Sequence, residues 1–332
     1  MSTSFVIRRV VPVLLVLTIA ASVAAQSDDK PTNLKVLPKD MPRERVLEVM
    51  NGFTRALGVR CIYCHVGEEG KPFQPGAFAK DEKPQKDKAR VMLRMVQDIN
   101  DKYLTQLETR ATPAVGVQCV TCHRGATQPR MLQDVLKTAY AEGGLDSAEA
   151  RYHSLRDRYY GRFTYDFGEV PLADLARSVR EGGHPADAAK LHAMNVEMNP
   201  NSMFAKRQDA ATGIYVAFSS LGADSGAAAY RAFKGQFGPK IVGEDLLNQV
   251  AYDLLGGGKS DVALAAFKLN VAENPASGNT YDSLAEAYAQ TGDRKLALAN
   301  YQKSLALDPT NEHAKQEIEA LKAKPKGGAK KK

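Results

Sequence analysis

Tryptophan is absent from this 332-residue chain, and cysteine is confined to four positions. Aromatic residues are sparse at 7%, as 13 Tyr and 11 Phe. Long apolar runs are scarcer still. One lies near the N-terminus, and nothing after it reaches the roughly 20 residues that a membrane span needs. No cysteine stands directly after that run, so a lipoprotein anchor is not expected. Excess charge is missing from the body of the chain. The net charge is +7, but Arg8 and Arg9 sit at the N-terminus and six lysines lie from Lys322 onward. Setting these eight aside leaves about −1, so no basic surface field is built for nucleic acid. What remains, 44% hydrophobic and 25% charged, is an ordinary globular balance. The length suits two domains, or one domain and a repeat array.

The N-terminus reads as an export signal. Arg8 and Arg9 precede "VVPVLLVLTIAASV", then the small residues of "SVAAQ". A cut after Ala24 or Ala25 fits the small-x-small rule, giving a signal over 1–25 and a soluble periplasmic protein. The competing reading is an uncleaved anchor, for which the core is short. The tail, 319–332, reads as flexible and basic, suited to weak contact with an anionic membrane surface or an acidic partner.

The four cysteines form two pairs, Cys61/Cys64 in "CIYCH" and Cys119/Cys122 in "CVTCH". Each is followed at once by a histidine, His65 and His123. This is the c-type haem attachment pattern. Two thiols three apart reach the two vinyl groups of one porphyrin, and the next residue is held under the iron as proximal ligand. The rival chemistries fit less well. Zinc ribbons space their pairs about 15–20 residues apart, far closer than Cys64 and Cys119. A thioredoxin-like pair needs a βαβ context, which neither motif has. Structural disulfides stay open as the other use that an exported protein makes of paired cysteines.

The opposite ligands are harder to read. "DMPRERVLEVMNGFTRALG" predicts a helix, with Asp40 as cap, Pro42 in the first turn and Gly58 at the end. Val46, Leu47, Met50, Phe53 and Leu57 share one face. A reversal at Gly58 would set Met50 against His65 across one iron, with Met41 the weaker competitor. A core methionine is the plainer alternative. A second helix, "KDKARVMLRMVQDINDKYLTQL", carries Met92, Met95 and Ile99 on one face. For the second iron the spacing leaves Met92, Met95, His153, His184 and His192 open. Tyr63, Phe53, Val66 and Val117 are expected to line the pockets, and Arg124 to meet a propionate.

From about Met41 to Gly125 the chain resembles the haem domain of the photosynthetic reaction centre cytochrome c subunit family. The resemblance lies in "MNGFTRALGVRCIYCHV", "ARVMLRMVQDINDKYL" and "VQCVTCHRG", in that order. It implies haem units built of a helix, a turn and an antiparallel CxxCH, with an axial methionine on the helix. It therefore favours Met50, and it selects Met95 over Met92. The family pattern has four haems, whereas this chain resembles only the second half.

The C-terminal half repeats. Pro275 and Pro309 are 34 apart, the tetratricopeptide (TPR) period. From Gly278 the register places Tyr281, Leu284, Ala285, Tyr288, Gly292, Ala297 and Tyr301. The preceding unit places Leu247, Val250, Ala251, Leu254, Gly258, Ala263 and Phe267. An earlier unit ends at Pro200, with Ala176, Gly183 and Ala188 in register. Residues 201–243 read as degenerate but helical, and "YRAFKGQFGPKIVGEDLL" echoes "YHSLRDRYYGRFTYDFGEVPL". His184, His192 and His313 read as exposed helix residues.

The expectation is all-α: a dihaem c-type cytochrome domain over 26–130, then a TPR-like solenoid over 131–318, with its best repeats at 244–277 and 278–311. The function expected is electron transfer between redox partner proteins through two covalent haem c groups, with a protein or peptide docked in the repeat groove. No enzyme activity is expected. The alternatives are a peroxidase-like enzyme with one five-coordinate haem, and a scaffold with structural haems.

Overall fold

Every regular element among the described residues is helical. These are residues 30–109 and 111–323 of a computed structural model. The segment read above as an export signal and most of the Lys-rich tail fall outside them. The chain divides into two units, Met1–Thr127 and Gln128–Lys332.

In the first unit, α1 spans Arg43–Leu57. Its N-cap is Pro42, not Asp40, and no side chain caps it. Proline supplies a fixed φ at the helix start, so the helix begins two residues later than a capping Asp40 would set. Gly58 ends the helix in the left-handed conformation, φ 65°, the usual glycine stop. The second helix is shorter than expected. α2 runs Gln85–Asp98 and then widens into a π turn over Ile99–Tyr103 and a 3₁₀ turn over Leu104–Gln106. α3 is one short helix, Cys119–His123. The described apolar residues buried in this unit are Ala56 and Ala77.

The second unit is different in kind. α4, Leu132–Tyr159, is broken at Gly143 and Gly144. Then come helix pairs: α5 Glu169–Glu181 with α6 Pro185–Met198, and α7 Met203–Val216 with α8 Ala223–Phe237. α9 Glu244–Gly256 pairs with α10 Ser260–Glu273, and α11 Gly278–Thr291 with α12 Arg294–Leu307. α13, Glu312–Lys322, packs on α12. Each pair also packs on the next, so this is an α-solenoid of TPR type. The register residues explain the packing. Ala251, Ala263, Ala285 and Ala297 are fully buried, so paired backbones approach closely, and Leu247, Leu254, Phe267 and Tyr301 fill the gaps between pairs.

The echo between α4–α6 and α8–α10 is structural. Tyr152 and Tyr230 are both fully buried. The Asn195 side-chain amide donates to the Glu169 carbonyl at 2.9 Å, and Asn270 donates to the Glu244 carbonyl at 3.2 Å. His192 is a correction. It is not exposed but buried, with a relative exposure of 4%. It follows Ala188 by one turn, the position that Phe267 and Tyr301 take after Ala263 and Ala297. The repeat therefore turns it inward, and burial, helped by the nearby Arg180 charge, pulls its pKa down to about 4. His184 and His313 are exposed, as expected, and His313 contacts Asp282 at 2.9 Å.

Candidate haem sites

The first motif opens as a single 3₁₀ turn, Cys61–Tyr63. The amides of Cys64 and His65 both bond back to the Cys61 carbonyl, at 3.2 and 2.9 Å. The turn places Cys61 at the surface and leaves Cys64 half-buried. The Lys83 ammonium holds the Ile62 carbonyl, and Lys86 bonds the carbonyls of Phe78 and Lys80. Phe78 meets the His65 ring edge-on at 5.0 Å. His65 Nδ1 is buried without a hydrogen-bond partner. Burial first, and the Lys86 charge second, hold this imidazole below its ordinary pKa. It is thus neutral at pH 7, as a metal-ligating imidazole must be.

The second motif is α3 itself. Gln118 and Thr121 cap it reciprocally, each side chain bonding the other's backbone. Asn100, in the π turn, clamps the segment just before it. Its amide donates to the Val117 carbonyl at 2.9 Å, and its oxygen accepts from the Val117 amide at 2.7 Å. Sequence reading missed Asn100, because a side chain that bonds a distant backbone leaves no periodic mark. His123 Nδ1 lies 2.9 Å from the Ala126 carbonyl oxygen. A carbonyl only accepts, so Nδ1 carries the proton and Nε2 keeps the lone pair. This is the tautomer a proximal ligand needs.

The remaining expected residues are scattered. Met50 is half-buried on α1, while Met92 and Met95 are 40% and 44% exposed on α2. Of the residues expected to line the pockets, Phe53, Val66 and Val117 are half-buried and Tyr63 is exposed. Arg124 sits in the left-handed region, φ 48°, directly after α3. A shallow, open depression lies beside the first motif, lined by Val59, Arg60, Ile62, Tyr63, Glu69, Lys83 and Gln85.

The donor set fits haem c. All four cysteines are free thiols. Burial pushes the thiols of Cys64 and Cys119 up. A redox-active CxxC pair lowers its attacking thiol instead. Among the described residues no three His, Cys, Asp or Glu side chains converge as a metal-ion site. The two motifs are therefore not pooled into one tetrathiolate.

Residues 26–154 match the photosynthetic reaction centre cytochrome c subunit family. The chain is 44% identical over 71 residues to cytochrome c-554 of Chloroflexus aurantiacus, covering 21% of this chain and 15% of that protein. It is 31% identical over 122 residues to the photosynthetic reaction center cytochrome c subunit of Rubrivivax gelatinosus, covering 32% of this chain and 31% of that one. It thus spans under a third of either relative. Structural overlays relate it to a thermophilic TPR protein of Thermus thermophilus, with TM-score 0.27 and 18% identity over 57% of this chain and 96% of that chain. MamA overlays with TM-score 0.28 and 17% identity over 53% and 95%. The repeat assignment rests on the helix pairs and register described above. Among the described residues no helix is long and apolar enough to cross a membrane.

Proposed function

We propose that this chain is an exported dihaem c-type cytochrome that passes electrons between redox partner proteins in the periplasm, with its repeats as the docking platform. The observation that carries this is the pair of CxxCH motifs in the stretch that matches the cytochrome family, with the His123 tautomer fixed by the Ala126 carbonyl. Each bound haem c supplies one reversible electron between Fe(III) and Fe(II). The residues do the rest. Cys61 and Cys64 anchor one group, and Cys119 and Cys122 the other. His65 and His123 would hold the two irons through their imidazoles. His65 is kept neutral by burial, and His123 is oriented by its Nδ1 bond. Met50 and Met95 would each offer a thioether sulfur to one iron, a ligation that raises the potential relative to two nitrogen ligands. The domain division proposed is cytochrome over 26–130 and repeats over 131–318, with the basic tail 319–332 available to an acidic partner or an anionic surface.

The ligand assignment is tested by replacing Met50 and Met95 singly with Ala. Each change is expected to remove part of the weak near-infrared sulfur-to-iron charge-transfer band and to lower one potential. A band and potentials untouched by both changes would show that neither sulfur is a ligand.

A further inference from the structure

Gly58 lies three residues before the first clamp, yet its closest neighbour belongs to the second. A Cβ built on Gly58 would fall against the Gly125 carbonyl oxygen, well inside van der Waals contact, and 3.0 Å from the carbonyl carbon. Beside it the Gly125 amide donates to the Ala56 carbonyl at 2.8 Å. Ala56 is the buried residue of α1. The last turn of α1 is therefore seated on the backbone that follows His123. Arg124 and Gly125 both take left-handed conformations there, φ 48° and 91°. A non-glycine residue is held in that region only when its surroundings demand it. The next residue is Ala126, whose carbonyl accepts from His123 Nδ1 and whose amide donates to the His123 carbonyl at 2.9 Å.

We propose that Gly58 is a positioning residue for the second haem: the α1 terminus fixes Gly125, Gly125 fixes the Ala126 carbonyl, and that carbonyl orients His123. This rests on the dihaem reading. It adds that the turn before Cys61 governs the iron ligand of the other clamp. Only glycine serves at Gly58, for two separate reasons: its φ of +65° and the close approach of Gly125.

The test uses the full-length protein carrying Cys61→Ala and Cys64→Ala, which retains the second clamp alone, with and without Gly58→Ala. Gly70→Ala is the reference, since Gly70 has φ +77° and nothing within 4 Å of an added Cβ. It carries the backbone penalty without the collision. Gly58→Ala is expected to shift the midpoint potential of the remaining haem and the hyperfine-shifted proton resonances of its imidazole, and Gly70→Ala to leave both unchanged. A folded Gly58→Ala protein with unshifted potential and resonances overturns the inference. Should that variant not accumulate, amide exchange on the wild-type protein decides. The Gly125 amide is expected to exchange at least about tenfold more slowly than that of Gly70, and an equal rate overturns the inference. Absence of haem from the parent double variant would strike at the dihaem reading instead, and the exchange measurement would still decide the junction.

Discussion

Replacing Cys61 and Cys64 together, or Cys119 and Cys122 together, is expected to halve the covalent haem per chain. Replacing all four is expected to abolish it. The reason is local: each clamp is closed on its own turn, one a 3₁₀ turn and the other α3. The hydrophobic clusters of the described residues lie within 132–321, and the first unit, Met1–Thr127, holds none of them. In that unit the described buried apolar side chains are two alanines, while Leu47, Tyr63, Val91, Met92, Met95 and Val120 are exposed. At about 25 cal/mol per Å² of apolar surface buried, two alanines contribute little to stability. The cytochrome unit is therefore expected to lose its fold in the four-cysteine variant while the repeats melt as in wild type. Pyridine haemochrome absorbance per chain checks the first point, and circular dichroism melting the second. A double variant with unchanged haem content would show that the thiols are not the anchors.

The second large effect belongs to the repeats. Phe267→Ala is expected to destabilise the array by about 3–5 kcal/mol, the cost of removing a fully buried aromatic ring. Phe267 is fully buried in α10 and meets Tyr252 edge-on at 4.9 Å. Tyr252 in turn donates its hydroxyl to Glu286 of the next pair at 2.7 Å. The loss should spread to α11, because each repeat is stable only against its neighbours. Leu307→Ala, at an exposed site, is the control and should change stability by about 0.5 kcal/mol or less. Urea unfolding of both variants measures the difference, and equal midpoints would remove the case for a packed solenoid.

Much of this is legible in the sequence because it is periodic or local. The α1 helix, its glycine stop at Gly58 and the 34-residue register are read from residue type and spacing, and the structure has all three, though it leaves Leu47 of the α1 stripe exposed. The CxxCH motifs are read from adjacent residues alone. The sequence says less where one atom answers another far along the chain. The seat of Gly58 on Gly125 and the Asn100 side-chain clamp on the Val117 backbone are partnerships that no spacing announces. Asp40 has the residue type of a cap, but the prolyl residue two places on sets the helix start. The polarity of His192 points to the surface and misleads. Its register position, one turn after Ala188, carries the information that it is buried.

The central claim is that two haems in this chain each carry one electron. A spectroelectrochemical titration of the purified full-length protein tests it most directly. The expected result is a Soret and α-band change that resolves into two one-electron steps, reversible in both directions. A protein with no haem absorbance, or with a single one-electron step per chain, would contradict it.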